Sequence, residues 1–106
     1  MIVSGTNLTM IRGDTESITV TFSSALSAGD QLTMTVRETA ESPIEIQKSH
    51  ICSGGETEIV FTLQHGDTSR LNFGTYVYDI QLVVGGETFI TVIPMSKLRL
   101  KEEVTY

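Results

Sequence analysis

The sequence predicts an all-β domain, an antiparallel β-sandwich of seven to eight strands, and three observations carry that expectation. Apolar and polar residues alternate along several short stretches, as in Leu32, Met34 and Val36 against Thr33, Thr35 and Arg37. Turn signals built on Gly, Pro, Asp and Ser separate those stretches. No longer stretch sustains a helical period, and Ala25 to Ala28 is the one place expected to hold a single helical turn.

Taken in order, Leu8 and Met10 alternate with Thr9 and Ile11 before Arg12-Gly13-Asp14 turns the chain. Ile18, Val20 and Phe22 then face one way against Ser17, Thr19 and Thr21, a β-branched run suited to a pleated surface. Ser23 to Asp30 reads as a small-residue loop, and the Leu32 strand after it runs out in Glu38 to Ser42. Beyond Pro43, Ile44 and Ile46 against Glu45 and Gln47 predict a short edge strand flanked by charge. Ile59, Phe61 and Leu63 predict the next. Tyr76, Tyr78, Ile80 and Leu82 alternate with Val77, Asp79 and Gln81 in the strand after that. Phe89 to Ile93 follows, and beyond Pro94, Leu98 and Leu100 alternate with Lys97, Arg99 and Lys101; Pro94 is expected to mark a bend in an edge strand. Gly54-Gly55-Glu56-Thr57 and Gly85-Gly86-Glu87-Thr88 repeat four residues, and Gly-Gly is what a tight hairpin asks for whatever its ancestry.

At 106 residues the chain has the size of one domain, read as spanning residues 1–106. Hydrophobic residues make up 40% and charged residues 19%, which is globular composition. The longest apolar runs are far below the roughly 20 residues a membrane helix needs, so no membrane partner is expected. The stretch from Met1 to Asn7 lacks a basic region followed by an apolar one, which predicts a product made in a cytoplasm. A net charge of −6 argues against nucleic acid, whose phosphates require clustered Lys and Arg. The single cysteine, Cys52, closes no intrachain disulfide, so packing must hold the sandwich.

The stretch leading into the Tyr76 strand has the form of a sandwich corner. Asp67 and Thr68 are turn formers, Leu71 and Phe73 are placed to plug the open end of a core, and Gly74 permits an unusual backbone angle. In immunoglobulin-type sandwiches a tyrosine near the start of a late strand sends its hydroxyl to upstream backbone. Asp67, Leu71, Gly74 and Tyr76 fit that pattern, which specifies the fold as an immunoglobulin-like antiparallel β-sandwich and predicts a Tyr76 bond to backbone near Asp67 to Leu71.

Four pieces of sequence together carry a family resemblance. They are Arg12-Gly13-Asp14-Thr15 before the first long strand, Gly29-Asp30 before the second, the run from Asp67-Thr68 through Leu71 and Phe73-Gly74 to Leu82, and the closing Glu102-Glu103-Val104-Thr105. In order and spacing, from about Met10 to Thr105, the chain resembles the small immunoglobulin-like domains of tailed-phage virion proteins from Gram-positive hosts, typified by the N-terminal domain of baseplate upper proteins. The resemblance implies a structural module of a phage or prophage tail or baseplate, located in the virion. It would assemble with copies of itself or with neighbouring virion proteins, without catalysis, cofactor or small-molecule substrate.

His50 and Cys52 suggest a catalytic pair, but they sit beside Gly54-Gly55 in an expected loop where a thiolate would be solvated, and no catalytic set is assigned. Adding His65 makes three zinc-type ligands at spacings that match no zinc pattern, so no metal is assigned either. Asp14, Asp30 and Asp67 each follow a glycine, which is turn chemistry at three places more than one calcium site. Arg12-Gly13-Asp14 is read as a turn and not as an integrin ligand, and Asn7-Leu8-Thr9 as a chance match to a glycosylation acceptor.

An alternative function is a cell-surface carbohydrate- or protein-binding module. A sugar site needs exposed aromatics, whereas most of Phe22, Phe61, Phe73, Phe89, Tyr76 and Tyr78 are expected to point inward, leaving Tyr106 free. Assembly is favoured, through a basic stripe: Lys97, Arg99 and Lys101 occupy alternate positions in the final strand and share one face. Their expected counterpart is an acidic face on a second copy, Glu41 and Glu45 or Glu56 and Glu58.

Overall fold

The computed structural model describes residues 1–102, with the backbone alone for Ile2 and Ser4. Glu103, Val104 and Thr105 of the closing motif, and Tyr106, lie outside the described residues.

Among the described residues, eight strands and one short helix follow in order: β1 (Ile2–Ser4), β2 (Asn7–Ile11), β3 (Glu16–Thr21), β4 (Gln31–Arg37), β5 (Ile44–Ile51), β6 (Glu58–Leu63), α1 (His65–Thr68), β7 (Gly74–Val84) and β8 (Thr88–Lys101). They form a six-stranded sheet in the order β1-β2-β8-β7-β4-β5 and a two-stranded sheet of β3 and β6. The protein is an all-β sandwich. Alternation is what closes it: Leu32, Met34 and Val36 of β4 are wholly buried, as are Leu63, Ile80 and Leu98 of the strands around them. Burying such a side chain is worth about 1.5–3 kcal/mol, so the period-2 pattern also fixes each strand's register.

Four expectations need correction. The sandwich is not purely antiparallel: β2 pairs with β8 in parallel, Leu8 opposite Leu98 and Ile11 opposite Lys101. Alternation carries no strand direction, so the period could not show this. The single helical turn is at His65–Thr68, where Asp67 accepts the Gln64 N–H at 2.7 Å, and not at Ala25 to Ala28. The segment from Phe22 to Leu26 instead bonds to the β5–β6 turn, Phe22 N–H to Thr57 and Leu26 N–H to Glu56, both at 2.8 Å. The third correction is the length of β5: an edge strand as expected, it runs eight residues along β4 with a bulge at Val36/Arg37.

The fourth is β8, which is only partly an edge. Its Thr88 to Ile93 half pairs with β7 alone among the described strands, while Leu98 to Lys101 lies between β7 and β2. Between the halves the register shifts, so Pro94 sits at a bulge, where its missing N–H costs no ladder bond. The Gly5-Thr6 turn stitches this bulge to the sheet: Thr6 and Ser96 hydroxyls lie 2.6 Å apart, Ser96 donates to the Pro94 carbonyl at 2.8 Å, and the Tyr78 hydroxyl donates to the Thr6 carbonyl.

Candidate functional site

The corner is built by α1 and the start of β7. Tyr76 is buried, and its hydroxyl donates to the Asn72 carbonyl at 2.8 Å, one residue beyond the window the sequence suggested. Gly74 takes φ +145°, a conformation that L side chains rarely adopt. Leu71 is buried as expected, but Phe73 is 56% exposed and plugs nothing; the Arg12 guanidinium lies over its ring, 5.8 Å from the centroid. Asp67 binds the Lys48 ammonium at 2.8 Å, and Arg70 reaches Glu45, so the corner is fastened to β5.

The Arg12-Gly13-Asp14 turn is fastened to the same corner. Arg12 donates to the Leu71 carbonyl at 3.1 Å, and the Gly13 N–H donates to the buried Thr68 hydroxyl at 2.8 Å. His65 Nδ1 lies 2.6 Å from the Gly13 carbonyl; a carbonyl only accepts, so Nδ1 carries the proton. These bonds give the tripeptide a structural role.

Lys97, Arg99 and Lys101 lie exposed on the outer face of the six-stranded sheet, alternating with buried Leu98 and Leu100. Arg99 stands between Thr75 of β7 and Thr9 of β2, and none of the three forms an ion pair with another described residue. The strand is flanked on both sides here, so the stripe offers a face and no free backbone edge. Of the acidic residues proposed to meet it, Glu45 is engaged by Arg70 and Glu56 by its own turn, while Glu41 and Glu58 are exposed.

The structure separates His65 from His50 and Cys52 and brings Glu56 to them instead. Ligand atoms of His50, Cys52 and Glu56 all lie within 4.8 Å of one another. Glu56 accepts from His50 Nε2 at 3.1 Å, the Ser53 N–H at 3.0 Å and the Gly54 N–H at 2.7 Å, which hold its carboxyl down at about 2. Cys52 is not a solvated loop residue: its N–H donates to the Asp30 carbonyl at 2.7 Å, its carbonyl accepts from Gly29, and its side chain is buried. Burial first, and then the nearby Glu56 and Asp30 charges, push its thiol up. The order is thiol, carboxylate, imidazole, which is not the nucleophile, base and orienting acid of a catalytic triad.

Asp14, Asp30 and Asp67 do not group together among the described residues. Asp30 caps the Ser27 N–H at 3.0 Å and Asp67 that of Gln64, each serving its own turn. Phe89, 68% exposed, joins Phe73 as an outward aromatic, so the expectation of Tyr106 alone as free of the core-facing set does not hold. A groove of about 390 Å³ opens between β3 and the larger sheet, lined by residues including Leu8, Ile18, Tyr78 and Ile93.

No family model matches the chain, and no curated protein matches it.

Proposed function

We propose that this protein is a non-enzymatic structural and assembly module of a phage or prophage virion, of the immunoglobulin-like kind found in tails and baseplates, which associates with copies of itself or with neighbouring virion proteins. The observation that carries the reading is the basic stripe. Three of the seven Lys and Arg residues stand without an ion-pair partner among the described residues, on one exposed face of a chain of net charge −6. Such a face meets exposed Glu41 or Glu58 on a second copy in a heterologous contact, which closes into a ring when the rotation permits. Resemblance of the corner and its flanking motifs to virion domains supports the same reading. Charge complementarity of this kind sets partner and register more than raw affinity.

The test is the solution mass of Lys97→Glu with Lys101→Glu beside the native chain. Native oligomers and a monomeric double variant are expected, with both proteins melting alike because the two side chains are exposed. Unchanged assembly of the variant would remove the stripe from the interface. The carbohydrate-binding alternative has Phe89 in its favour, and saturable binding to a bacterial cell-wall glycan, lost in Phe89→Ala, would establish it.

A further inference from the structure

We propose that the β5–β6 turn binds one dication of the zinc type through His50 Nε2, Cys52 Sγ and a Glu56 carboxylate oxygen, with solvent in the fourth position. This site is independent of the assembly reading. The absence of metal expected from the sequence rested on His65 as third ligand, and the structure puts Glu56 in that place.

Geometry comes first. Zinc holds imidazole nitrogen and carboxylate oxygen at about 2.0–2.2 Å and thiolate sulfur at about 2.3 Å, so tetrahedral ligands stand roughly 3.3–3.6 Å apart. His50 Nε2 and Glu56 Oε2 are 3.1 Å apart, and the Cys52 sulfur lies within 4.8 Å of a ring nitrogen of His50 and a carboxylate oxygen of Glu56. Small side-chain rotations therefore suffice. The backbone beneath is fixed: Cys52 is bonded to Asp30 and Gly29 on both its amide groups, and Leu26 holds Gly55 and Glu56 across the turn. The Gly54 N–H, 2.7 Å from Glu56 Oε1, orients the carboxylate from behind.

Donor chemistry then selects the ion. Sulfur and imidazole nitrogen exclude calcium and magnesium, which take oxygen, and suit zinc and its cobalt analogue. The balance is simple. The Cys52 thiol loses its proton to solvent as the metal–sulfur bond forms, and the His50 proton moves from Nε2 to Nδ1 so that the Nε2 lone pair faces the ion. One thiolate and one carboxylate neutralise the dication. A turn needs Glu56 to cap Ser53 and Gly54, but it has no need of a thiol and an imidazole at the same carboxylate.

Cobalt(II) titration of the whole chain, with a non-chelating reductant present, tests the proposal. The expected result is saturation at one ion per chain with a thiolate-to-cobalt charge-transfer band, reversed by zinc. Cys52→Ser should lose that band, and His50→Ala, which alters a half-exposed side chain, should weaken binding by about tenfold or more. Zinc should raise the melting temperature of the native chain and not that of Cys52→Ser. Absence of a thiolate band at a large excess of cobalt, or equal affinity in native and His50→Ala chains, would overturn the site.

Discussion

Tyr76 and Asp67 show how single side chains hold the corner. The Tyr76 ring lies in the core while its hydroxyl serves the Asn72 carbonyl, so Tyr76→Phe keeps the packing and removes one bond. Asn72 itself is exposed and water can replace the donor, which places the expected loss near 1 kcal/mol, at the low end for an orphaned group. Denaturant unfolding of the variant checks this, and an unchanged midpoint would leave the ring as mere filling. Burial alone would raise the Asp67 carboxyl. The Lys48 bond, the Gln64 N–H and the charges of Lys48 and Arg70 outweigh burial and hold it below the ordinary aspartate value. A depressed folded value means stability that is present above the unfolded pKa of about 3.9 and is lost as pH falls through the folded value. Native protein should therefore lose stability below about pH 4 more steeply than Asp67→Asn, as acid titration of the melting temperature would show. Equal slopes would remove the ion pair from the account.

At the scale of elements, the clasp between the β2–β3 turn and α1 joins two segments more than fifty residues apart, Gly13 and Thr68. Thr68→Val preserves shape and leaves the Gly13 N–H without its partner in a closed contact, for an expected cost of about 1–3 kcal/mol. Unfolding midpoints decide it, and a neutral result would mean that His65 and Arg12 hold the turn unaided. Much of each element was legible in the chain. Leu32, Met34 and Val36 announced a buried face and Pro94 an irregularity, whereas the helical turn at His65–Thr68 was missed, its one mark being the capping spacing of Gln64 and Asp67. What was hidden has physical causes. A three-residue strand such as β1 is too short to show a period. Cys52 looked like a loop residue because its burial comes from backbone bonds to Asp30 and Gly29, more than twenty residues away. Glu56 gave no sign of joining His50 and Cys52, since a carboxylate just after two glycines reads as turn chemistry alone.

At the scale of the molecule, the six-stranded sheet carries a basic stripe on its outer face in an otherwise acidic protein. Long-range repulsion between copies of net charge −6 acts over tens of ångströms and is already screened at 0.1 M salt, where the Debye length is about 10 Å. In the proposed assembly, contacts between Lys97, Arg99 or Lys101 and exposed carboxylates of a second copy would act at ion-pair distance and persist there, to be weakened only when the Debye length falls to about 3 Å near 1 M. Salt should thus dissociate the assembly and leave the fold intact. Sedimentation equilibrium of the native chain at 0.1 M and 1 M salt, with the circular dichroism followed in parallel, tests the assembly claim most directly. Oligomers at low salt, monomers at high salt and an unchanged β-sheet spectrum are expected; a monomer at every concentration in 0.1 M salt would rule out assembly through the stripe.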